Sequence, residues 1–368
     1  MQSSAHETLA DDAAPPSFAI IGAGGVGGLL AALLSRAGIP CTLYVRPTDR
    51  GAALPAGVRV LRGDEILSAP VRWSSDWSEI APSDVIVVAV KTWQVAEVCL
   101  GLRRSARDTG TVLTLQNGLR APEIARELLP QADVLAGVCD VRCWREQPGV
   151  VRWLGDSVTL LVGDSRARTV APALAPVAAL VRAGVSASVV SDVGAALWSK
   201  LVFIAAFGAV GALVRLPIGE IRGNASSRAL LHQVAREVAA VAAASGVSLD
   251  PALVEDVLRR IDGLPETATS SLQRDIVAGR PSELEDLVSD VVRRARVLCV
   301  PVPLCSLIAA ALDPVEARAR RTAADEPADR PVTRSAAASS ASAAASSAGS
   351  PALAPQPRGS LGTAPGCD

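Results

Sequence analysis

Two features of this sequence could do chemistry. The run Gly22-Ala23-Gly24-Gly25-Val26-Gly27 follows four apolar residues, 18–21, and leads into a helix-like stretch, 28–37. Gly22 permits a tight turn, Gly24 lets phosphates approach the backbone, and Gly27 with Gly28 allows helix and strand to pack closely. The helix N-terminus after such a turn offers unpaired N–H groups to a diphosphate. The spacing predicts a dinucleotide site. The second feature is a scarcity. The chain carries 36 Lys plus Arg, yet only Lys91 and Lys200 are lysines. Arg can solvate a surface as well as Lys can. It cannot supply a compact ammonium whose pKa moves, so both lysines are candidates for chemistry.

Position sharpens these candidates. Lys91 follows directly on the apolar run 84–90, which reads as a strand buried on both faces. Ligands bind at the carboxyl ends of such strands. Asn117, one of only two asparagines, ends the next strand by the same reading. Lys200 lies early in the first helix of the second half, where it either snorkels to solvent or faces an interdomain cleft. An NAD site would place an acid at the end of the second strand for the ribose 2′-hydroxyl. The chain has Leu43-Tyr44-Val45-Arg46-Pro47 there. Arg46, with Arg50 nearby, suits a 2′-phosphate, so NADP(H) is expected. The alternative for Arg46 is an ordinary surface arginine. Only His6 and His232 are histidines, and neither sits where catalysis would use it.

The elements that must position these residues alternate strand and helix as far as residue 190, which predicts a doubly wound parallel α/β sheet. From 193 onward the patterns are nearly all helical. The expected organisation is a disordered lead (1–16), a Rossmann domain (17–190), a helical domain (191–315) and a disordered Ala/Ser/Pro-rich tail (316–368). The net charge of −1 offers no field to attract nucleic acid or an anionic membrane. The longest apolar run, 201–214, is shorter than the roughly 20 residues a membrane span needs. The seven cysteines show no metal spacing and read as reduced thiols, and no metal is expected. The N-terminus lacks the basic and apolar segments of a secretory signal, so a cytoplasmic location is expected.

Six segments in fixed order carry a resemblance. GAGGVGG (22–28), VAVKTWQV (88–95), LQNGL (115–119), LWSKLVF (197–203), SSLQRDIVAGRPSELEDL (270–287) and RRARVLCVPVP (293–303) make residues 17–312 resemble the ketopantoate reductases (2-dehydropantoate 2-reductases). The resemblance implies a Rossmann domain followed by a helical domain, in the manner of 6-phosphogluconate dehydrogenase, with the active site between them. It implies NADPH-dependent reduction of 2-dehydropantoate to (R)-pantoate, a step towards pantothenate and coenzyme A. Lys200 would be the general acid, a role that typically contributes about 10²–10⁴-fold. Lys91 and Asn117 would contact cofactor and substrate. Glu283 would lie near the nicotinamide ribose, with Glu285 competing for that assignment. Ser271 would bind the substrate carboxylate, with Ser270 its competitor. Helix capping and a solvated face are the alternative roles for these serines and acids. A monomer or homodimer acting on a small 2-keto acid is expected.

The sequence departs from the family where asparagines usually follow the catalytic lysine. Ile204, Gly208 and Ile218 stand there instead. A buried substrate hydroxyl without partners costs about 1–3 kcal/mol. A reductase of a more apolar 2-keto acid is therefore the first alternative. A non-catalytic NADPH-binding sensor is the second, although it would not need Lys200.

Overall fold

Phe18, Ala19, Ile20 and Ile21 are all buried, which a strand achieves only when both its faces are covered. This strand, β1 (Phe18–Ile21), lies between β2 (Cys41–Tyr44) and β6 (Val85–Val88), parallel to both. The computed structural model describes residues 15–45, 55–82, 84–164, 166 and 169–325, so Arg46, Arg50, the lead up to residue 14 and the tail from 326 lie outside the described residues. The other strands are β3 (Val58–Arg62), β4 (Glu65–Ala69), β5 (Arg72–Ser74), β7 (Gly110–Thr114), β8 (Ala132–Gln147), β9 (Val150–Asp164) and β10 (Ser186–Val189). Their order is β4-β3-β9-β8-β7-β6-β1-β2-β5, with β10 also beside β9.

The sheet is parallel from β5 through β8, as expected. Antiparallel pairing enters at β8–β9 and β3–β4. β8 and β9 form a long hairpin, because β8 continues past the end of β7 to Gln147 before β9 returns. The sequence reading missed β4, whose mostly exposed residues show no alternation. Helices α1 (Gly25–Arg36) and α4 (Ala171–Arg182) cover the face that carries Phe18 and Ile20. Helices α2 (Val95–Arg104) and α3 (Arg120–Leu128) cover the face that carries Ala19 and Ile21. The sheet is therefore doubly wound.

The C-terminal part is helical. Its axis is α5 (Val193–Val214), packed by α7 (Ala225–Ala244), α8 (Leu253–Asp262) and α9 (Ser271–Val277), with the short α6 (Ile218–Gly223) between α5 and α7. Helix α5 has the length and apolarity to cross a membrane, but most of it is buried in the protein core. Leu119, Ala136 and Val138 from the sheet join α5 in one hydrophobic cluster, so the two parts share a core. Asn224 is the helix cap of α7, its Oδ1 accepting from the Ser226 and Ser227 amides.

One segment departs from α-helical geometry, and one boundary differs from expectation. A π-helical segment, Glu285–Ser289, leads into α10 (Asp290–Val297). The last helix, α11 (Pro303–Asp325), runs ten residues past the expected end of the helical domain at 315. Residues 316–325 are therefore helical, not part of a disordered tail. Buried contacts of Glu316 and Ala319 hold that extension in place, and the local composition did not reveal them.

Candidate active site

The glycine loop sits against the end of β6. Gly22 has φ +117°, and a Cβ there would lie 2.7 Å from the Ala89 carbonyl carbon. A Cβ on Gly27 would lie 2.1 Å from the Gly22 oxygen, and one on Gly28 would lie 2.8 Å from Val151. At Gly24 the nearest atom would be 3.9 Å away. The fold thus demands glycine at Gly22 and Gly27, while Gly24 leaves the backbone open to a ligand. Gly25 meets the backbone of Trp144 on β8. Ala23 and Val26 pack against the α1-side core. The first turn of α1 holds no acid and no side-chain cap. These residues fit the diphosphate of a dinucleotide, and the Gln116 Oε1, buried without a hydrogen-bond partner, lies by the same strand ends.

Strand β6 delivers Lys91 as expected. The Gln116 amide donates to the carbonyls of Val88 and Val90, at 2.9 Å each, and so holds the chain that runs into Lys91. Lys91 Nζ reaches Asp275 at 3.2 Å and Glu283 at 3.7 Å. Burial lowers the pKa of the Lys91 ammonium, but the two carboxylates together outweigh it and hold the pKa above the ordinary lysine value. Asn117 follows β7, half-buried, and no hydrogen bond fixes its side chain among the described residues. The next residue, Gly118, has φ +87°, and a Cβ there would press to 2.9 Å from the Asp286 carbonyl oxygen. Only glycine lets this loop meet the π-helical segment.

Lys200 reaches the sheet from α5. Its Nζ donates to the Cys139 carbonyl of β8 at 2.5 Å. Burial dominates its electrostatics and pulls its pKa below the ordinary value, against the opposing influence of Cys139, Asp140 and Glu283. Arg260 from α8 adds to the lowering. It stacks over Phe203 at 3.9 Å and pairs with Asp140. The Cys139 thiol is itself pushed up to about 11 by burial, so β8 offers Lys200 a carbonyl and not a thiolate.

The structure thus brings Lys91, Glu283 and Lys200 into one electrostatic cluster. Glu285 pairs instead with Arg293 and Arg120. Ser270 is the N-cap of α9, its Oγ accepting from the Gln273 amide at 3.0 Å, while Ser271 is exposed at the first turn. Of the positions where asparagines were expected, Ile204 is half-buried, Gly208 is covered by Ser270 and Leu272, and Ile218 is wholly buried. Sequence reasoning missed Asp275 and Arg260. Asp275 follows Ser271 by one helical turn, a usable signal, whereas nothing local marks Arg260.

A doubly wound sheet, a glycine loop and a shielded lysine on the adjoining helical part define a dinucleotide-dependent oxidoreductase architecture. The family model "Ketopantoate reductase PanE/ApbA" matches residues 18–166, and its C-terminal counterpart matches 192–316. The 2-dehydropantoate 2-reductase of Halobacterium salinarum is 31% identical over 236 residues, 64% of this chain and 77% of that protein. The enzyme of the same name from Mycobacterium tuberculosis H37Rv is 30% identical over 308 residues, 80% of this chain and 98% of its own. The crystal structure of a PanE/ApbA family ketopantoate reductase from Ralstonia eutropha JMP134 superposes with a TM-score of 0.74 at 30% identity, covering 83% of this chain and 99% of that one. The chain belongs to the ketopantoate reductase family, oxidoreductases that act on CH–OH groups.

Proposed function

We propose that this protein reduces a 2-keto acid with NADPH, 2-dehydropantoate to (R)-pantoate being the family's reaction, and that Lys200 is the general acid. The observation that carries this reading is Lys200 itself, a half-buried ammonium fixed on the Cys139 carbonyl and facing Glu283 across the seam. When bound, NADPH supplies the hydride to the keto carbon. Lys200 holds its proton for the carbonyl oxygen, and its charge stabilises the alkoxide as it develops. Depression of its pKa by burial brings proton release closer to working pH. Lys91, Asn117 and Glu283 would hold cofactor and substrate, and Ser271 would take the carboxylate. Arg46 would select the 2′-phosphate. The setting is the cytoplasm, as a monomer or homodimer.

The face of α5 beyond Lys200 favours a second reading. Phe203 and Phe207 stack there at 5.8 Å, and Ile204 and Gly208 follow Lys200 at one and two helical turns. None of them can pair with a substrate hydroxyl, which suits a branched, apolar 2-keto acid. The test is NADPH oxidation with 2-dehydropantoate and with 3,3-dimethyl-2-oxobutanoate, the same skeleton without its hydroxyl. Lys200→Ala should remove turnover while NADPH affinity changes little. Unchanged kcat would sink the general-acid role, and turnover of the apolar acid alone would sink pantoate as the product.

A further inference from the structure

Helix α11 is anchored at its start, where the buried Glu237 carboxylate of α7 accepts from the Leu304 and Cys305 amides at 3.0 and 2.8 Å. Further along, α11 turns Glu316, only 5% exposed, onto the turn that carries Glu283. The Glu316 oxygens accept from the Ser282 amide at 3.0 Å each and from the Ser282 hydroxyl at 2.5 Å. One turn later, Arg320 pairs with Glu316 at 2.7 Å and donates to the Ser282 carbonyl at 3.0 Å. Every polar group of Ser282 is therefore engaged, and the next residue is Glu283. The Arg320 guanidinium also lies over the Trp93 ring at 4.7 Å, and Lys91 Nζ approaches the same ring at 5.8 Å. Arg320 lies beyond residue 316, where the family match ends.

A buried carboxylate is costly unless it is fully partnered. Here the partners are the main chain and hydroxyl of Ser282, beside the site, and the Arg320 guanidinium. We propose that Glu316 and Arg320 are positioning residues for the reaction: they set the Ser282 main chain so that Glu283 stays on Lys91 and near Lys200, and they tie that turn to Trp93 in the turn that follows β6. This rests on the general-acid reading of Lys200. The groups that face Lys200 are Cys139 and Asp140 from β8, Arg260 from α8 and Glu283. The Glu283 charge favours the ammonium, so a displaced Glu283 lets Lys200 lose its proton at lower pH.

The test is the pH profile of kcat/KM for keto acid reduction by the full-length chain, with Glu283→Gln as reference. That variant should move the alkaline limb to lower pH by about 0.5–1 unit. Glu316→Gln and Arg320→Ala should move it in the same direction, and Glu316→Asp should restore most of the profile. Glu316→Gln should add nothing on top of Glu283→Gln, because residues acting through one group are non-additive. A lowered Tm with an unmoved limb in both Glu316→Gln and Arg320→Ala would overturn the proposal. Additive shifts in the double variant would do so too. An unmoved limb in Glu283→Gln would overturn the general-acid chemistry and this device with it. Arg320→Ala keeps the test decisive if Glu316→Gln does not fold.

Discussion

At the scale of single residues, the proposed chemistry turns on the difference between an ammonium and a guanidinium. Lys200 has its pKa lowered chiefly by burial. A guanidinium in its place stays protonated at any working pH and cannot pass a proton on. Lys200→Arg should therefore lose about 10²–10⁴-fold in kcat while still binding NADPH. Single-turnover absorbance at 340 nm and a fluorescence titration would separate the two effects, and a rate near that of the wild type would show that only charge is required. Lys91 and Lys200 were legible in the sequence because an arginine-rich chain had kept lysine in just these places. Arg260 was not, since its partner Asp140 lies far away in the chain, whereas Asp275 carried a local signal, its place one turn after Ser271, that went unused. The Ser270 and Ser271 alternatives separate only when the N-cap hydrogen bond is seen.

At the scale of elements, the glycine loop separates what folding needs from what binding needs. Gly22→Ala puts a methyl against backbone and forces a left-handed φ on a residue with a side chain. It should cost about 2 kcal/mol or more. Gly24→Ala meets nothing closer than 3.9 Å. It should leave stability within about 0.5 kcal/mol and weaken NADPH binding severalfold. Thermal melts with cofactor titrations check both, and a Gly24→Ala protein that binds as well as the wild type would place the diphosphate elsewhere. The central strands were readable because their burial on both faces leaves continuous apolar runs. The π-helical segment was not, because the partner of its buried Asp286 is Arg120 on α3, far away in the chain.

At the scale of the whole molecule, charged ties cross from α3 and the turn after β6 to the C-terminal helices. Arg120 meets Asp286 at 3.2 Å, Arg294 meets Glu123 at 2.7 Å, and Lys91 meets Asp275. Burial raises the Asp286 carboxyl to about 7, against the pull of Arg120 and with help from Glu283, Glu285 and Asp290. The unfolded carboxyl titrates near ~3.9, so the folded state binds the extra proton between these values. Its stabilising contribution is full below about pH 4 and is lost as pH rises to about 7. Asp286→Asn should flatten that loss. Melting curves from pH 4.5 to 7.5 should converge or cross between variant and wild type, and parallel curves would contradict the raised carboxyl. The two-part architecture was legible from the change of periodicity near residue 191. The ties were not, for none has a local signature. The lysine scarcity acquires a practical meaning at this scale. Apart from the chain's α-amine, the only amines of the molecule are Lys91 and Lys200, both in the electrostatic reach of Glu283. Reductive ¹³C-methylation, which preserves charge, would install NMR reporters there and nowhere else on the folded surface, with the Lys200 resonance titrating below that of Lys91.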